Sequence, residues 1–375
     1  MSDKLTRRTV FQVAGAAALA PAGSIAAPAE KLPMGMKGEG PDTPKICLEY
    51  GSGGLSAGGN TDDERIRRIK QLGVNYAVGA MGVAPWDETR LRAYMDKAKE
   101  GGLTIGNIMI GFPYSVIAAR EGRDDAIEKV KDSIVVAGKC GLPVVEYNWY
   151  AHRITEGYYE VPGRGGASYT GFDYTKIRDL PALEREGAHT LDEMWTNIAY
   201  FLKAVIPVAE KANVRLALHP NDPPAPVSRG SQQIMGSVEG WKKLVDIVPS
   251  KSNGITFDCG VTREMGHDPV EVCRYFGAKD RINHVHFRNV IVEKPYEHYE
   301  EVFIDEGYNN MFAVMKELVR QKYPRMVYPE HPRAIDYDRA QTGFHSTYPG
   351  GGGYAAFAFN VGYARAMLQA CLNPA

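Results

Sequence analysis

The chain has 375 residues, in which 44 lysines and arginines face 45 aspartates and glutamates, so its formal net charge is −1 at pH 7. This balance gives no electrostatic reason to expect binding to nucleic acid or to an anionic lipid surface. With 44% hydrophobic and 24% charged residues, the composition is typical of a soluble globular protein and favours a small-molecule partner.

The first 29 residues differ from the rest of the chain. Arg7-Arg8 precedes an apolar, alanine-rich run at 13–27, which ends in small residues suited to cleavage near Ala26 or Ala29. This pattern resembles a twin-arginine export signal and predicts a periplasmic protein. The run is too rich in alanine and glycine for a stable membrane span. No later stretch reaches the roughly 18 to 20 apolar residues that a span needs, so we expect no stable membrane insertion.

The cysteines predict neither a disulfide framework nor a zinc ribbon, because their number is odd and no Cys-x-x-Cys pair occurs. They are Cys47, Cys140, Cys259, Cys273 and Cys371. We expect isolated thiols, most of them buried. A single disulfide is an alternative if the protein lies in an oxidising compartment, and the sequence does not identify which two cysteines would form it.

Short β-like segments alternate with helical segments along the chain. The predicted strands are 45–49, 75–80, 103–110, 143–149, 215–220, 254–259, 282–290 and 325–328. The predicted helices are 61–72, 87–100, 124–139, 190–212, 237–248, 268–277, 310–321 and 354–372. Two of the helices begin with a capping box, Thr61 with Glu64 and Thr190 with Glu193.

This alternation favours a single closed (β/α)8 barrel, a TIM barrel, over residues 44–375, preceded by a linker at 30–43. An open doubly wound sheet is the alternative, but its glycine fingerprint is missing after the first strand. Two long connections, 150–189 and 221–236, follow strands. In a barrel they would lie at the carboxyl ends of the strands, where active sites form and long loops act as lids.

The segment 282–290 carries three polar side chains at alternating positions. As a strand it would place His284, His286 and Arg288 on one face and apolar residues on the other. A face of this kind is costly to bury without partners, so it favours a pocket that holds water, a metal or an anion. For His284 alone, a hydrogen-bonded core histidine is an equal alternative.

Polar ligand-type side chains also end the neighbouring predicted strands. Because apolar residues occupy the helix-facing parity, His219, Asp258 and His286 turn inward at three strand ends, and Glu330 follows the last strand. The same parity turns Cys259 toward the helices. Two imidazoles and two carboxylates at one height suit Mn²⁺ or a similar divalent ion better than a thiolate-rich zinc site.

Several segments resemble the D-mannonate dehydratases, a metal-dependent branch of the xylose-isomerase-like TIM barrels. They are His219-Pro220-Asn221-Asp222-Pro223-Pro224, Asn253-Gly254-Ile255-Thr256-Phe257, Val285-His286-Phe287-Arg288-Asn289-Val290, Glu330-His331-Pro332-Arg333, Tyr76-Ala77-Val78-Gly79-Ala80 and Val144-Val145-Glu146-Tyr147-Asn148-Trp149. The resemblance implies metal ligation by His219, Asp258, His286 and Glu330, with His331 and Tyr354 in the acid and base positions. It also implies a sugar-acid substrate and leaves room for a homo-oligomer.

A dehydratase of this kind removes a proton next to a carboxylate and expels a neighbouring hydroxyl. We expect Arg288 to hold the substrate carboxylate by a two-pronged contact, and His331 or Tyr354 to move the proton. The chain departs from the family pattern in having Asp258 and Glu146 where cysteines are usual, and Glu330-His331 in place of Asp-His. These carboxylates favour a second interpretation, a sugar isomerase or epimerase on the same barrel. A third interpretation is an exported barrel that binds a sugar without turnover.

Overall fold

The computed structural model describes residues 35–51 and 61–374, which form the following strands and helices. The strands are β1 Lys45–Glu49, β2 Tyr76–Val83, β3 Thr104–Gly111, β4 Val144–Tyr147, β5 Tyr158–Pro162, β6 Ser168–Asp173, β7 Arg215–Leu218, β8 Val227–Ser228, β9 Ser231–Gln232, β10 Asn253–Asp258, β11 Ile282–His286, β12 Asn289–Lys294, β13 His298–Val302 and β14 Met326–Tyr328. The helices are α1 Asp62–Gln71, α2 Glu88–Glu100, α3 Tyr114–Ile117, α4 Arg123–Cys140, α5 Leu191–Ala212, α6 Val238–Ile247, α7 Cys259–Glu264, α8 Pro269–Ala278, α9 Met311–Arg320, α10 Asp336–Arg339 and α11 Tyr354–Leu372.

Eight of these strands close into a barrel, in the order β1-β14-β11-β10-β7-β4-β3-β2. All the neighbouring pairs whose register is described are parallel. Every predicted strand overlaps one of the eight, and every predicted helix overlaps a helix outside the barrel. The predicted (β/α)8 fold is therefore confirmed.

The predicted helix starts follow from their capping residues. In α1 the backbone N–H of Glu64 donates to the Thr61 hydroxyl at 3.3 Å, and in α5 the N–H of Glu193 donates to the Thr190 hydroxyl at 3.2 Å. In both boxes the glutamate side chain accepts from the backbone of the capping threonine. Each box satisfies amide groups that would otherwise lack a partner at the helix start.

The main hydrophobic core fills the barrel and the space between its strands and the helices. Side chains alternate along each strand, so that one set packs between the strands and the helices and the other set points into the barrel. In β7, for example, Leu216 and Leu218 pack in the core, so the next inward-facing position is His219. The same rule brings other polar residues to the inside of the barrel at its carboxyl end.

A second sheet lies at the carboxyl end of the barrel and was not predicted. It is antiparallel, in the order β12-β13-β6-β5, and its strands β5 and β6 come from the long connection 150–189. The predicted strand 282–290 is in fact divided, since β11 ends at His286 and β12 begins at Asn289. The other long connection, 221–236, carries the small β8–β9 hairpin.

A separate apolar cluster stabilises this second sheet. Phe172 of β6 and Tyr299 of β13 are both buried, and their rings stack with centroids 5.0 Å apart. Ile154, Ile177 and Ala225 complete the cluster. The connection 150–189 is thus anchored by its own core.

Two further expectations concern cysteines and membrane insertion. All five cysteines are free, and Cys47, Cys259 and Cys273 are buried, as isolated thiols should be. Among the described residues, none of the helices is both long enough and apolar enough to cross a membrane. The predicted export signal at residues 1–29 lies outside the described part of the chain.

Candidate metal centre and active site

A cavity of about 430 Å³ opens at the carboxyl end of the barrel. The strand ends, the loop after β4 and the segment before α11 all contribute to its wall. Its polar lining includes Glu49, Glu146, Arg153, His219, Asp222, His286, Glu330, His331, His345 and Tyr348. This is the end of a (β/α)8 barrel at which active sites form.

Two histidines from neighbouring parts of the barrel meet on the cavity floor. The Nδ1–H of His219 donates to the carbonyl oxygen of Pro220 at 2.7 Å, which leaves its Nε2 lone pair free. That Nε2 lies 3.1 Å from Nδ1 of His286. Two nitrogens bound to one ion at about 2.1 Å each are separated by about 3 Å when they occupy adjacent positions. Burial, reinforced by His219, lowers the pKa of His286 well below its usual value and favours the neutral, ligating form.

Two carboxylates complete this group. Nδ1 of His286 lies 3.6 Å from Oε1 of Glu330 and 3.8 Å from Oδ2 of Asp258. Oδ1 of Asp258 accepts from the backbone N–H of Val261 at 2.8 Å, as the N-cap of α7, while Oδ2 accepts from Nε of Arg288 and faces the histidine. Burial raises the pKa of Glu330 to about 8, because loss of water outweighs the attraction of His331.

The four predicted ligands are therefore brought together, and they fit a divalent cation. The ligand atoms of Asp258, His286 and Glu330 lie within 4.8 Å of one another. Oε1 of Glu330 is buried and accepts no hydrogen bond, although a guanidinium nitrogen lies 3.2 Å away. A bound cation would satisfy that oxygen, whose isolation is otherwise costly. Cys259, by contrast, is buried in the main hydrophobic core, as parity predicted.

Glu146 adds a third carboxylate beside the histidines. Its Oε1 lies 3.7 Å from Nε2 of His286, and with His219 and His286 it forms a second possible ligand group. Thr256 donates to Oε1 at 2.6 Å and Asn107 donates to Oε2 at 2.7 Å. These contacts hold Glu146 against the His286 nitrogen that points away from the other ligands, the usual place for a carboxylate that orients a metal-bound imidazole.

His331, the residue after Glu330, is held rigidly at the edge of the ligand group. Its backbone has a φ of 47°, a left-handed conformation that residues other than glycine seldom adopt. Its Nδ1 lies 2.7 Å from Oε2 of Glu301, and its Nε2 lies 3.2 Å from Oε2 of Glu330. The ring of Tyr348 packs against the imidazole with centroids 4.7 Å apart.

Glu301 comes from β13 of the antiparallel sheet and fixes the imidazole of His331. Arg333 donates to the same Glu301 oxygen at 3.1 Å. Burial alone would raise the pKa of Glu301, but His331, Arg288 and Arg333 hold it well below its usual value. Burial alone would likewise lower the pKa of His331, but Glu301 and Glu330 raise it. His331 therefore has its Nδ1 engaged by Glu301 and its Nε2 directed toward the ligand group.

Arg288 lies beneath the cavity and does not line it. Only 2% of the residue is exposed, and its guanidinium is surrounded by carboxylates. The nearest oxygens belong to Glu264 at 2.7 Å, to Asp222, Asp258 and Glu330 at 3.2 Å, and to Glu301 at 3.6 Å. The predicted contact with a substrate carboxylate does not fit this position. The parity argument failed because β11 ends at His286, before Arg288 is reached.

Tyr354 is also separate from the cavity. It is the first residue of α11, and its hydroxyl donates to the backbone carbonyl of Arg68 at 2.9 Å. It borders a different surface depression, together with Arg67 and Gln71. The geometry therefore gives no support to an acid or base role for Tyr354, whereas Tyr348, six residues earlier, reaches His331.

Comparison with known proteins identifies the family of this chain. The sequence profile of the D-mannonate dehydratase (UxuA) family matches residues 57–371. The chain belongs to that family. A mannonate dehydratase from Oceanobacillus iheyensis is 26% identical over 321 residues, which cover 76% of this chain and 90% of the relative. A mannonate dehydratase from Thermotoga petrophila is 27% identical over 325 residues, covering 76% and 89%.

Solved structures place this member of the D-mannonate dehydratase family in the same fold. The crystal structure of the mannonate dehydratase from Streptococcus suis serotype 2 is 26% identical, with a TM-score of 0.75, and the match covers 88% of this chain and 95% of that one. An L-ribulose 3-epimerase, 15% identical with a TM-score of 0.55 over 88% and 96% of the two chains, shares the barrel. The xylose-isomerase-like fold is thus confirmed.

Four cavity or support residues of this dehydratase-family site were not predicted. Glu49 ends β1 on the inward parity, so the rule that found His219 would also have found it. Burial raises its pKa to about 7. Arg153 and Tyr348 lie in connections where no periodicity applies, and Glu301 depends on a sheet that has no local signal.

Proposed function

We propose that this protein dehydrates an aldonate such as D-mannonate to a 2-keto-3-deoxy acid and water. The observation that carries the proposal is the presence of four ligand-type side chains beside a His331 imidazole that Glu301 holds at the edge of the cavity. Membership of the D-mannonate dehydratase family supports the same reaction class, a hydro-lyase.

We infer that His219, Asp258, His286 and Glu330 hold one divalent cation, and we expect Mn²⁺. Imidazole and carboxylate ligands without thiolate suit that ion. When bound, such an ion supplies the positive charge that stabilises negative charge developing on the substrate oxygens. Glu146 supports the group by holding the far side of His286.

Overall, the C2 proton and the C3 hydroxyl leave as one molecule of water, and the enol that forms tautomerises to the keto acid. A hydroxyl leaves far more readily as water, so a proton donor is needed beside it. His331 fits this requirement, because Glu301 keeps its Nδ1–H in place and raises its pKa. Its Nε2, at the edge of the ligand group, is then the atom that gives up the proton.

The test is an assay of the manganese-loaded protein with D-mannonate and other aldonates, following 2-keto-3-deoxy acid formation. A parallel panel of aldoses and ketoses follows sugar interconversion. We expect turnover of aldonates, and loss of most of it in His331→Gln with the metal content unchanged. Turnover confined to neutral sugars would overturn the proposal in favour of an isomerase or epimerase, which the carboxylates Asp258 and Glu146 also suit.

We also propose that the precursor is exported through the twin-arginine route, on the strength of Arg7-Arg8 ahead of the weakly hydrophobic run. Replacing both arginines with lysine should retain the protein in the cytoplasm. Normal processing and a periplasmic location of this variant would contradict the proposal. The measurement is cell fractionation, with the wild-type precursor expressed in parallel.

A further inference from the structure

An anionic substrate faces an acidic cavity in this protein. Glu49, Glu146, Asp222 and Glu330 all line the wall. The cation expected at the ligand group offsets part of the charge of those carboxyl groups that are ionised. A second positive charge on the wall would still be needed to favour an acid over a neutral sugar of the same length.

Most of the buried positive groups nearby are already paired. Arg288 is enclosed by five carboxylates, as described above, and is not part of the wall. Arg333 is fully buried and donates to Glu301, to the carbonyl of His331 and to the hydroxyl of Thr170. His331 itself is held between two glutamates.

Arg153 is the exception. It is the one lysine or arginine among the described residues that line the cavity, and it is exposed. Within the described part of the chain, its guanidinium has no hydrogen-bond or ion-pair partner. It lies three residues after Tyr150 in the loop that follows β4, and Tyr150 also lines the cavity.

The loop presents Arg153 from a fixed backbone. On one side, the Ser228 hydroxyl donates to the carbonyl oxygen of His152 at 2.8 Å, and the His152 ring lies 3.1 Å from Glu156. On the other side, the Ile154 side chain is buried in the apolar cluster of the antiparallel sheet. Both neighbours of Arg153 are thus anchored while its own side chain stays free, which lowers the entropic cost of using it to bind a ligand.

We propose that Arg153 binds the carboxylate of the substrate and is the residue that selects acids over neutral sugars. A guanidinium offers the planar pair of donors that matches a carboxylate. The inference rests on the proposed dehydration of an aldonate, and it replaces Arg288 in the role that the sequence suggested.

The test compares the manganese-loaded wild type with Arg153→Ala, Arg153→Gln and Arg153→Lys, using D-mannonate. We expect KM to rise about 10- to 100-fold in the alanine and glutamine variants, as for the loss of one charge-assisted hydrogen-bonded pair, and much less in the lysine variant. The kcat should change less than about threefold, since the contact is made equally before and during the reaction. Added salt should raise KM of the wild type more than that of Arg153→Ala.

Arg178→Ala is the matched control, because Arg178 lies in the same connection, is exposed, and pairs with Asp179 outside the cavity. Its KM should equal that of the wild type. An unchanged KM in Arg153→Ala, or an equal loss in the lysine and glutamine variants, would overturn the assignment. Failure of the wild type to dehydrate any aldonate would instead overturn the proposed function, so the two failures are distinguishable.

Discussion

The barrel and the antiparallel sheet contribute to the same site in different ways. The barrel supplies the ligand group from its strand ends, with His219 after β7, Asp258 in β10, His286 in β11 and Glu330 after β14. The sheet supplies Glu301, which touches His331 rather than the ligand group. In the proposed function, one region would provide the atoms for the metal, and the other would orient the residue that moves the proton.

This difference predicts that metal binding and proton transfer are separable by mutation in this protein. Ligands on barrel strands are fixed by the strand pairing around them. Glu301 reaches His331 from β13, a strand of the antiparallel sheet, which packs around its own apolar cluster. Removing a barrel ligand should therefore affect the metal, while removing Glu301 should affect the reaction with the metal still bound.

The largest effect is expected from His286→Ala, since His286 lies at the centre of the ligand group. After purification, we expect fewer than one metal ion for every several protein chains. The rate of dehydration should fall by about 1,000-fold or more. Metal analysis and the aldonate assay measure the two effects. An unchanged metal content would sink the assignment of the ligand group.

Cys259→Ser is the control for that experiment. Cys259 follows Asp258 directly but is buried in the hydrophobic core. Metal content should stay at the wild-type value. The free energy of unfolding should fall by about 1 to 3 kcal/mol, because a hydroxyl replaces a thiol in an apolar environment.

A smaller effect, about 100-fold in kcat, is expected from Glu301→Gln. The amide can still accept from His331, but it lacks the charge that raises the pKa of the imidazole. KM and metal content should change little. In a His331→Gln background the same substitution should have almost no further effect on kcat, because the two residues act as one unit.

Glu300→Gln provides the matched comparison, since Glu300 is the neighbouring residue on the same strand but is partly exposed. Its kcat should equal that of the wild type. If Glu301→Gln lowers the unfolding temperature severely, Glu301→Asp tests the same charge with the carboxylate retained. Loss of metal in a folded Glu301 variant would contradict the separation between the two regions.

The smallest effect concerns Glu49, a barrel strand-end residue outside the ligand group. Burial raises its pKa from 4.5 to about 7. Below pH 4.5 the carboxyl is neutral in both folded and unfolded chains, and between 4.5 and 7 only the unfolded chain ionises. This group therefore lowers the free energy of unfolding as pH rises through that window, by about 1 to 3 kcal/mol in total.

Glu49→Gln should remove this part of the pH dependence, as measured by urea unfolding between pH 4.5 and 8. Glu100→Gln, at the exposed end of α2, should leave the slope as it is in the wild type. Equal slopes in the wild type and Glu49→Gln would show that Glu49 is not taken out of water.

Most of the barrel could be predicted from the sequence, because its information is local. Period-two alternation, capping boxes and strand ends are visible within a few residues, and they led to His219, Asp258, His286 and Glu330. The antiparallel sheet has no such signal. Its pairing joins Thr170 to Glu301, which are far apart in the chain, and glycine, proline and tyrosine in 150–189 suggest a loop.

Two residues that the sequence analysis assigned to the site, Arg288 and Tyr354, do not line its cavity. Arg288 was assigned by extending a strand two residues past its real end, so its predicted direction had no basis in the pleat. Tyr354 was assigned because the family resemblance implied it, but its hydroxyl donates to the backbone of Arg68, and Tyr348 lines the cavity instead. In both cases the deciding contact is between distant segments, which alternation along one segment does not encode.

Asp258 offers a way to observe the site without a substrate. One of its oxygens holds the amide of Val261, and the other faces His286. A change in what the second oxygen binds must alter the electron density of the first. The amide resonance of Val261 in an NMR spectrum should therefore shift when a cation enters the barrel, and it would act as a built-in reporter of occupancy.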